Sequence, residues 1–164
     1  MKKVMLLGIN SKFVHTNIAI RYIKKYVEKY SDIEIEIFEK TINNHVEEII
    51  ADIYRKKPEI LMISAYIWNS EYVYKLITEV KKVFKNLTLV LGGPEVSYNA
   101  IELMNKYIEI DYIISGEGEK TTLEFLTKDK KDVKGLYYRE EDKIKFGGIR
   151  EGICDLDEIP FPYE

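Results

Sequence analysis

Short apolar segments alternate with amphipathic segments along most of this chain, and that alternation constrains the fold more than any other feature. The apolar runs predict strands at Lys3–Ile9, Ile33–Phe38, Ile60–Ser64, Leu87–Leu91 and Asp111–Ile114. Apolar residues at helical spacing predict the helices, from Asn17 to Tyr30, from Asn43 or Asn44 to Pro58, from Asn69 or Ser70 to Phe84, from Ser97 to Tyr107, and up to Leu126. This repeated βα pattern predicts an α/β fold with a doubly wound, five-stranded parallel sheet in the order 2-1-3-4-5, as in flavodoxin-like and Rossmann-like proteins.

The C-terminal part of the chain has a different pattern. Val133–Tyr138 and Lys143–Phe146 are strand-like runs around a charged turn, and they predict a small antiparallel β-hairpin. Prolines among apolar neighbours then predict an extended tail. We therefore divide the chain into an α/β domain at 1–130, a hairpin extension at 131–149 and a linker at 150–164. A chain that ends in such a tail is expected to be a fragment of a longer protein.

Composition and charge exclude several functional classes. The net charge is −3 and no stripe of basic residues is present, which argues against a nucleic-acid partner. No apolar run approaches the roughly 20 residues of a membrane span, and the N-terminal run is too short for a signal peptide. We therefore expect a cytoplasmic protein with no membrane partner. The single cysteine, Cys154, excludes an internal disulfide and a cysteine metal cluster.

Small residues stand at two predicted strand ends, where they would let a ligand approach the sheet. The third strand ends in Ser64-Ala65 and the fourth in Gly92-Gly93-Pro94. Two successive glycines remove side chains, and the proline stiffens the exit. Because parallel strands present their carboxyl ends at one edge, four loops are predicted to meet around one crevice, at 10–16, 65–70, 92–97 and 116–119. A tight turn without a ligand is the alternative interpretation of Gly-Gly-Pro.

Familiar phosphate-binding motifs do not fit these loops. The first strand ends in Gly8-Ile9-Asn10, which lacks the acidic residues of a phospho-acceptor domain and supplies only one glycine of a dinucleotide fingerprint. Gly116–Thr121 lacks the glycine that precedes the lysine of a phosphate loop, and its two acidic residues would repel phosphate. A flavin mononucleotide site would use a hydroxyl-rich first loop, for which Ser11 and Thr16 are a thin match.

The residues at these strand ends resemble the cobalamin (vitamin B12)-binding domain at the amino terminus of a large group of radical S-adenosylmethionine (SAM) enzymes. The resemblance covers nearly the whole chain. The wider class has Ser-x-Leu at the end of the third strand and Gly-Gly after the fourth, where this chain has Ser64-Ala65-Tyr66 and Gly92-Gly93. Three further segments resemble this group, namely Gly116-Glu117-Gly118-Glu119, Gly135-Leu136-Tyr137 and Leu156–Pro162. The resemblance implies that Ser64 and the two glycines line the slot for the nucleotide tail of cobalamin.

The resemblance and the loop positions together predict a set of cofactor-binding residues and no catalytic or metal-ligating residue. The predicted set is Asn10, Ser11, Lys12, His15, Ser64, Tyr66, Trp68, Asn69, Gly92, Gly93, Pro94, Glu95, Gly116, Glu117 and Gly118. The wider class carries Asp-x-His-x-x-Gly in the first loop, whose histidine is the lower ligand of cobalt. This loop lacks the aspartate and the glycine, and His15 is out of frame, as is common in the radical SAM members. We therefore expect cobalt to be held without histidine. Trp68 is interpreted either as a packing anchor or as a flat cover for the corrin ring or the barrel interface.

The resemblance implies a cobalamin-binding module whose partner is a C-terminal radical SAM barrel of the same parent chain. That barrel would hold a [4Fe-4S] cluster and SAM, and the parent would carry out methyltransferase-type or related radical chemistry. The chain alone is expected to be non-catalytic. Two alternatives stay open: a domain that keeps the fold but binds only a substrate or a partner protein, and a flavodoxin-like flavin binder. Bound cobalamin is red and bound flavin is yellow, whereas an interaction module is colourless.

Overall fold

The structure, a computed structural model, describes residues 3–163 and has a mixed β-sheet at its centre. Its strands are β1 (Val4–Asn10), β2 (Ile35–Thr41), β3 (Ile60–Ser64), β4 (Thr88–Gly92), β5 (Tyr112–Ile114), β6 (Leu136–Glu140) and β7 (Lys143–Phe146). They form one seven-stranded sheet in the order β2-β1-β3-β4-β5-β6-β7. The first five strands are mutually parallel, and β6 and β7 continue the sheet as antiparallel strands. The first two residues of the predicted α/β domain and Glu164 of the predicted linker lie outside the described residues.

Helices cover both faces of the sheet, which confirms the α/β class. They are α1 (Ile18–Tyr30), α2 (Val46–Lys56), α3 (Ser70–Val83), α4 (Pro94–Ser97), α5 (Ala100–Lys106) and α6 (Gly118–Thr127). The helices α1 and α6 pack on one face, and α2, α3, α4 and α5 pack on the other. Within residues 3–163, no helix combines the length and the apolar character that crossing a membrane requires.

Alternation along the central strands divides the apolar side chains between these two layers. In β4, Leu89 and Leu91 belong to the core beneath α2 and α3, whereas Val90 belongs to the core beneath α1 and α6. Successive residues of a strand point to opposite faces, so Gly92 shares the α1 and α6 face with Val90. The same alternation in β3 places Ser64 on that face together with Met62. The two small strand-end residues therefore lie on one side of the sheet.

The predicted five-strand count is not confirmed, because the C-terminal hairpin joins the main sheet. Tyr112 of β5 is paired with Tyr138 of β6, and Ile114 is paired with Leu136. Leu136 and Tyr138 are buried, so their alternation supplies an apolar face that extends the core beyond β5. The strand β5 is short, and β6 covers what would otherwise be an exposed sheet edge.

Two predicted element boundaries are wrong for local reasons. Strand β2 begins at Ile35 and continues to Thr41, because its whole length pairs with β1. The single helix predicted from Ser97 to Tyr107 is two helices, and Ser97 is the last residue of α4 instead of a cap. Its hydroxyl donates to the Gly93 carbonyl oxygen at 2.9 Å, which is a bond within its own turn.

Helix caps were predicted with mixed success. Asn17 caps α1, since its side-chain oxygen accepts a hydrogen bond from the Ile20 N–H at 3.3 Å. The prediction that Asn43 or Asn44 caps α2 is wrong, because His45 holds the cap position. The Asn44 side-chain oxygen instead accepts from the Thr41 N–H at 3.0 Å and stabilises the turn that leaves β2.

Candidate functional site

A cavity of about 520 Å³ opens between the sheet and the helices α1 and α6, near the carboxyl ends of β3, β4 and β5. Strand residues form its floor, namely Leu6, Met62, Ser64, Val90, Gly92 and Ile114. Helix residues form its walls, namely Ala19, Ile20 and Ile23 of α1 and Gly118, Glu119 and Thr122 of α6. This volume falls within the range of small-molecule sites, and a mainly apolar lining with a few polar groups is typical of them.

The floor is open at the strand ends because the last residues of β3 and β4 are small. A Cβ atom built on Gly92 would come no closer than 3.8 Å to its nearest neighbour, Ile114. Since Gly92 faces the cavity, that Cβ would occupy space that is now available to a ligand. Ser64 beside it presents only a hydroxyl. The depth of the slot therefore depends on two strand-end residues that the sequence already indicated.

The Ser64 hydroxyl is held in place by the start of α1. Asn17 Nδ2 donates a hydrogen bond to Ser64 Oγ at 2.6 Å. This approach requires a glycine at position 8, because a Cβ there would lie 3.1 Å from Asn17 Cβ and 3.0 Å from Ile20 Cδ1. Ser64 Oγ accepts from Asn17, so its own proton is available to a ligand acceptor.

Gly93 allows the loop after β4 to cross closely over the loop after β3. Its φ angle is +104°, and a Cβ there would lie 2.4 Å from the Ala65 carbonyl oxygen. The Ala65 N–H donates to the Gly92 carbonyl oxygen at 2.7 Å, which continues the pairing of the two strands into their loops. Gly93 is thus required by the fold, whereas Gly92 leaves space in the cavity.

Asn69 holds the loop after β3 in shape from a buried position. Its Nδ2 donates to the Ile9 carbonyl oxygen at 2.9 Å, and its Oδ1 accepts from the Tyr66 N–H at 2.8 Å. The residue is 1% exposed. All these partners are backbone groups of this chain, so Asn69 stabilises the site from beneath and does not line the cavity.

The loops after β4 and β5 are joined at the mouth of the cavity. Ser115 Oγ donates to the Ser97 carbonyl oxygen at 3.1 Å, and the Gly116 N–H donates to Ser97 Oγ at 3.3 Å. Glu117, which also lines the cavity, accepts a hydrogen bond from the Ile153 N–H at 2.9 Å. The C-terminal segment is therefore attached beside the opening.

Glu119 is an ionisable residue of the α6 wall. Burial raises the pKa of its carboxyl above the ordinary value, and the neighbouring charge of Glu117 adds to the effect. Backbone N–H groups at the start of α6 oppose this rise. The carboxyl is therefore easier to protonate than an exposed glutamate, and it can serve as an acceptor or a donor toward a ligand.

The first loop lies away from the cavity, and its predicted residues bond to one another and to β2. Asn10 Nδ2 donates to the His15 carbonyl oxygen at 2.9 Å, and Ser11 Oγ lies 2.9 Å from His15 Nδ1. Asn10, Ser11, Lys12 and His15 are absent from the lining. Burial opposes ionisation of Glu39, but hydrogen bonds from Asn17, Asn10 and their neighbours lower its pKa. Glu39 is thus a charged anchor for this loop.

Trp68 and Glu95 also lie outside the lining. Trp68 is 45% exposed and stacks on Tyr66 with ring centroids 5.8 Å apart. Glu95 belongs to the opposite side of the sheet, close to Tyr74. Burial, together with the charge of Glu95, raises the pKa of Tyr74 to about 12.

The structure brings eight of the predicted residues together around one cavity: Ser64, Tyr66, Gly92, Gly93, Pro94, Gly116, Glu117 and Gly118. The lining also contains residues outside the predicted set. Ser97 and Glu119 belong to predicted loops, whereas Ala19, Ile20, Ile23, Ser115 and Thr122 were missed. Strand alternation could have indicated the floor. The walls required knowledge of which helices share a face of the sheet. Among the described residues, no group of three or more His, Cys, Asp or Glu side chains is placed to hold a metal ion.

The carboxyl ends of parallel strands are where α/β domains usually bind their ligands, and the cavity lies there. Comparison with known proteins identifies the kind of domain. Residues 4–126 match the B12 binding domain. The chain therefore belongs to the B12-binding domain family, which confirms the resemblance found in the sequence.

Relatives and solved structures agree with this assignment. The chain is 28% identical over 155 residues to the uncharacterized methyltransferase PH0819 of Pyrococcus horikoshii, covering 88% of this chain and 32% of that protein. It is 28% identical over 113 residues to the cobalamin-dependent radical SAM methyltransferase TokK of Streptomyces tokunonensis, covering 65% of this chain and 17% of that protein. The solved structure of the cobalamin-dependent SAM radical enzyme OxsB, with aqua-cobalamin and SAM bound, has a TM-score of 0.81 at 17% identity, covering 99% of this chain and 24% of that chain. The chain thus spans a third or less of each of these proteins.

Proposed function

We propose that this chain binds cobalamin, with the nucleotide tail in the cavity beneath α1 and α6 and the corrin ring over the carboxyl edge of the sheet. The observation that carries the proposal is the slot at Ser64 and Gly92, where small side chains open an apolar floor on one face of the sheet. Family membership supports the same ligand.

The chemistry of the cavity fits the nucleotide tail. The base of the tail is flat and apolar, and the floor offers Leu6, Met62, Val90 and Ile114 to it. The unsubstituted ring nitrogen of the base accepts a hydrogen bond, and the free proton of Ser64 would supply one. A buried donor without a partner is destabilising, so a ligand that accepts this bond stabilises the site.

The corrin ring has an apolar surface available at the carboxyl edge. Phe13 and Tyr98 are 93% and 95% exposed. Val14, next to Phe13, is also exposed, as are Ile67 and Trp68 in the loop after β3. These residues follow β1, β3 and α4, at the end of the sheet where the cavity opens. A set of exposed apolar residues at one edge is typical of a binding surface. The stacked Tyr66 and Trp68 rings offer a flat face to the corrin.

We also propose that no histidine of this chain ligates cobalt. His15 is exposed, does not line the cavity, and has its Nδ1 next to Ser11 Oγ. Loop residues Lys12 to His15 or Tyr66 to Asn69 would instead lie under the corrin. When bound, cobalamin would supply a cobalt centre that can carry a methyl group.

The remaining functions belong to the parent protein. We propose that residues 150–164 lead toward a radical SAM barrel in the same chain, and that the parent is a methyltransferase or a related radical enzyme. The names of the relatives support this, since PH0819 and TokK are both described as methyltransferases. The [4Fe-4S] cluster and SAM would belong to that barrel.

A titration by visible absorbance tests the cofactor. The purified protein is titrated with hydroxocobalamin and methylcobalamin, and flavin mononucleotide serves as the comparison ligand. We expect saturable cobalamin binding with a base-off spectrum, which His15→Ala leaves unchanged, and no binding of the flavin. Loss of a histidine-ligated spectrum in His15→Ala would contradict the proposed coordination.

The alternatives correspond to other outcomes of the same titration. Saturable flavin binding with a yellow protein would replace cobalamin by the flavodoxin-like alternative. If a longer chain that includes the barrel binds neither ligand, the interaction-module interpretation replaces the proposal.

A further inference from the structure

The C-terminal segment is seated on the two helices that form the walls of the cavity. We call residues 150–163 the strap. Its first residue, Arg150, has a side chain that is 9% exposed, and Arg150 Nε donates to Thr121 Oγ1 of α6 at 2.7 Å. Near the other end of the strap, the Arg21 guanidinium carbon of α1 lies 5.9 Å from the centroid of the Tyr163 ring. The strap therefore contacts both α6 and α1.

The middle of the strap is held by the far end of α1. The Glu158 carbonyl oxygen accepts hydrogen bonds from Lys29 Nζ at 2.9 Å and from the Tyr30 hydroxyl at 3.2 Å. Both donors lie in the last turn of α1, whereas Arg21 lies in the first turn. The strap thus passes along α1 and returns, and Pro162 is buried on the way back. A segment held at both ends of one helix is a fixed part of the domain.

One contact of the strap is made at the cavity itself. Glu117 lines the cavity and holds the cap position of α6, and its Oε2 accepts a hydrogen bond from the Ile153 N–H at 2.9 Å. Gly152 passes so close that a Cβ there would lie 3.3 Å from Glu117 Oε1. The N–H groups of Glu158 and Ile159, in contrast, are donated within the strap. The Ile153 N–H therefore joins the strap to a residue of the cavity wall.

Both walls of the cavity belong to the helices that the strap connects. Ile23 of α1 and Gly118 of α6 line the cavity, and a Cβ on Gly118 would lie 2.8 Å from Ile23 Cδ1. The two helices are thus in close contact beside the opening, and the strap crosses them on the outside. A binding site that is already held in its bound shape has a higher affinity for its ligand. The docked strap should therefore favour the occupied cavity.

We propose that docking of the strap at Glu117 and occupancy of the cavity stabilise each other. The choice of cobalamin as the ligand rests on the proposed function, whereas docking of the strap requires no ligand. The coupling is reciprocal, because the factor by which docking raises the affinity is also the factor by which the ligand favours docking. The segment that leads out of the domain would in this way respond to the state of the cavity.

The first test is Ile153→Pro, which removes the N–H that joins the strap to Glu117 and leaves every residue of the cavity lining unchanged. We expect the dissociation constant for cobalamin, measured by the visible titration, to rise about 3- to 10-fold, as for one lost hydrogen bond. Ile153→Ala is the matched control, because it shortens the same side chain and keeps the N–H. This control should leave the dissociation constant unchanged.

The second test needs no variant. Hydrogen exchange of the unmodified protein is followed by mass spectrometry in peptides from the strap, with and without saturating cobalamin. We expect cobalamin to slow exchange of the Ile153 amide by about the same 3- to 10-fold factor, because exchange requires the strap to open. This measurement decides the question if Ile153→Pro does not fold.

Several results would overturn the inference. Strap exchange that cobalamin leaves unchanged, or equal affinities of Ile153→Pro and the unmodified protein, would show that the strap and the cavity are independent. An equal loss of affinity in Ile153→Ala would assign the effect to side-chain packing. If the unmodified protein binds no cobalamin, the proposed function itself is wrong. Unprotected exchange of the Ile153 amide in the ligand-free protein would instead show that the strap does not dock.

Discussion

Adjacent glycines at the end of β4 have different roles, and their alanine variants should separate stability from binding. Gly93 adopts φ +104°, in a backbone region that only glycine occupies readily, and a Cβ there would lie 2.4 Å from the Ala65 carbonyl oxygen. The backbone strain alone costs about 1–3 kcal/mol, and the backbone overlap adds to it. We expect Gly93→Ala to lower the free energy of unfolding by about 3 kcal/mol, which lowers the unfolding midpoint by about 6–12 °C.

Gly92→Ala is the matched control, because the same methyl group meets no overlap. Its Cβ would be 3.8 Å from Ile114, an ordinary van der Waals distance. Alanine also restricts the unfolded chain, so stability should be unchanged or raised by about 0.4–1 kcal/mol. The methyl group projects into the cavity, however, and should weaken cobalamin binding. Gly93→Ala should therefore reduce the stability of the fold, and Gly92→Ala should reduce the affinity for cobalamin.

Thermal unfolding followed by circular dichroism measures the first effect, and the visible titration measures the second. An unfolding midpoint for Gly93→Ala within about 2 °C of the unmodified protein would refute the argument from backbone conformation. An equally large decrease for Gly92→Ala would refute the assignment of that position to open cavity space. Unchanged cobalamin affinity in Gly92→Ala would show that the tail does not occupy this part of the slot.

Two further predictions concern charged groups around α6. Burial raises the pKa of Glu119, so its ionised form is less favourable in the folded state than in the unfolded state, and the free energy of unfolding falls as pH rises through the interval above about 4.5. Glu119→Gln should therefore raise the unfolding midpoint at pH 7 more than at pH 4. An equal shift at both pH values would contradict this prediction. Arg150 donates to Thr121 Oγ1 at 2.7 Å and pairs with Glu124, so Arg150→Ala should lower the unfolding midpoint by about 4–8 °C. Lys128→Ala, which removes an exposed partner of the same Glu124, should change the midpoint by less than about 2 °C. Equal effects of the two substitutions would show that burial of the ion pair does not determine its contribution to stability.

The parts of the site that the sequence predicted are those determined by local rules. Ser64 and Gly92 end apolar strands, and the edge at which parallel strands end is fixed by their direction. The Asn17 cap follows from one side chain and the start of one helix. In each case the residue and its neighbours along the chain contain the required information.

The hairpin shows what local rules leave out. The run around Leu136 and Tyr138 was recognised as a strand, and its hairpin partner β7 was predicted. Its second partner, β5, was not predicted, because the pairing with Tyr112 and Ile114 joins residues farther apart in the chain. Alternation indicates that a strand has one buried face. It does not indicate which sheet edge receives it, so the count of strands in the sheet could not be predicted.

The α6 wall was missed for a different reason, since its most deeply buried residues are polar. The fully buried residues of α6 are Thr121 and Thr122, while Leu123, Phe125 and Leu126 are only partly buried. Helical spacing places Thr122 on the same face as Phe125 and Leu126, but a threonine by itself does not indicate burial. Thr121 is buried with its hydroxyl bonded to Arg150, whereas the Thr122 hydroxyl has no hydrogen-bond partner within the described part of the chain. Periodicity therefore indicates which residues share a face of α6, but it does not indicate that this face forms one wall of a cavity beside the sheet.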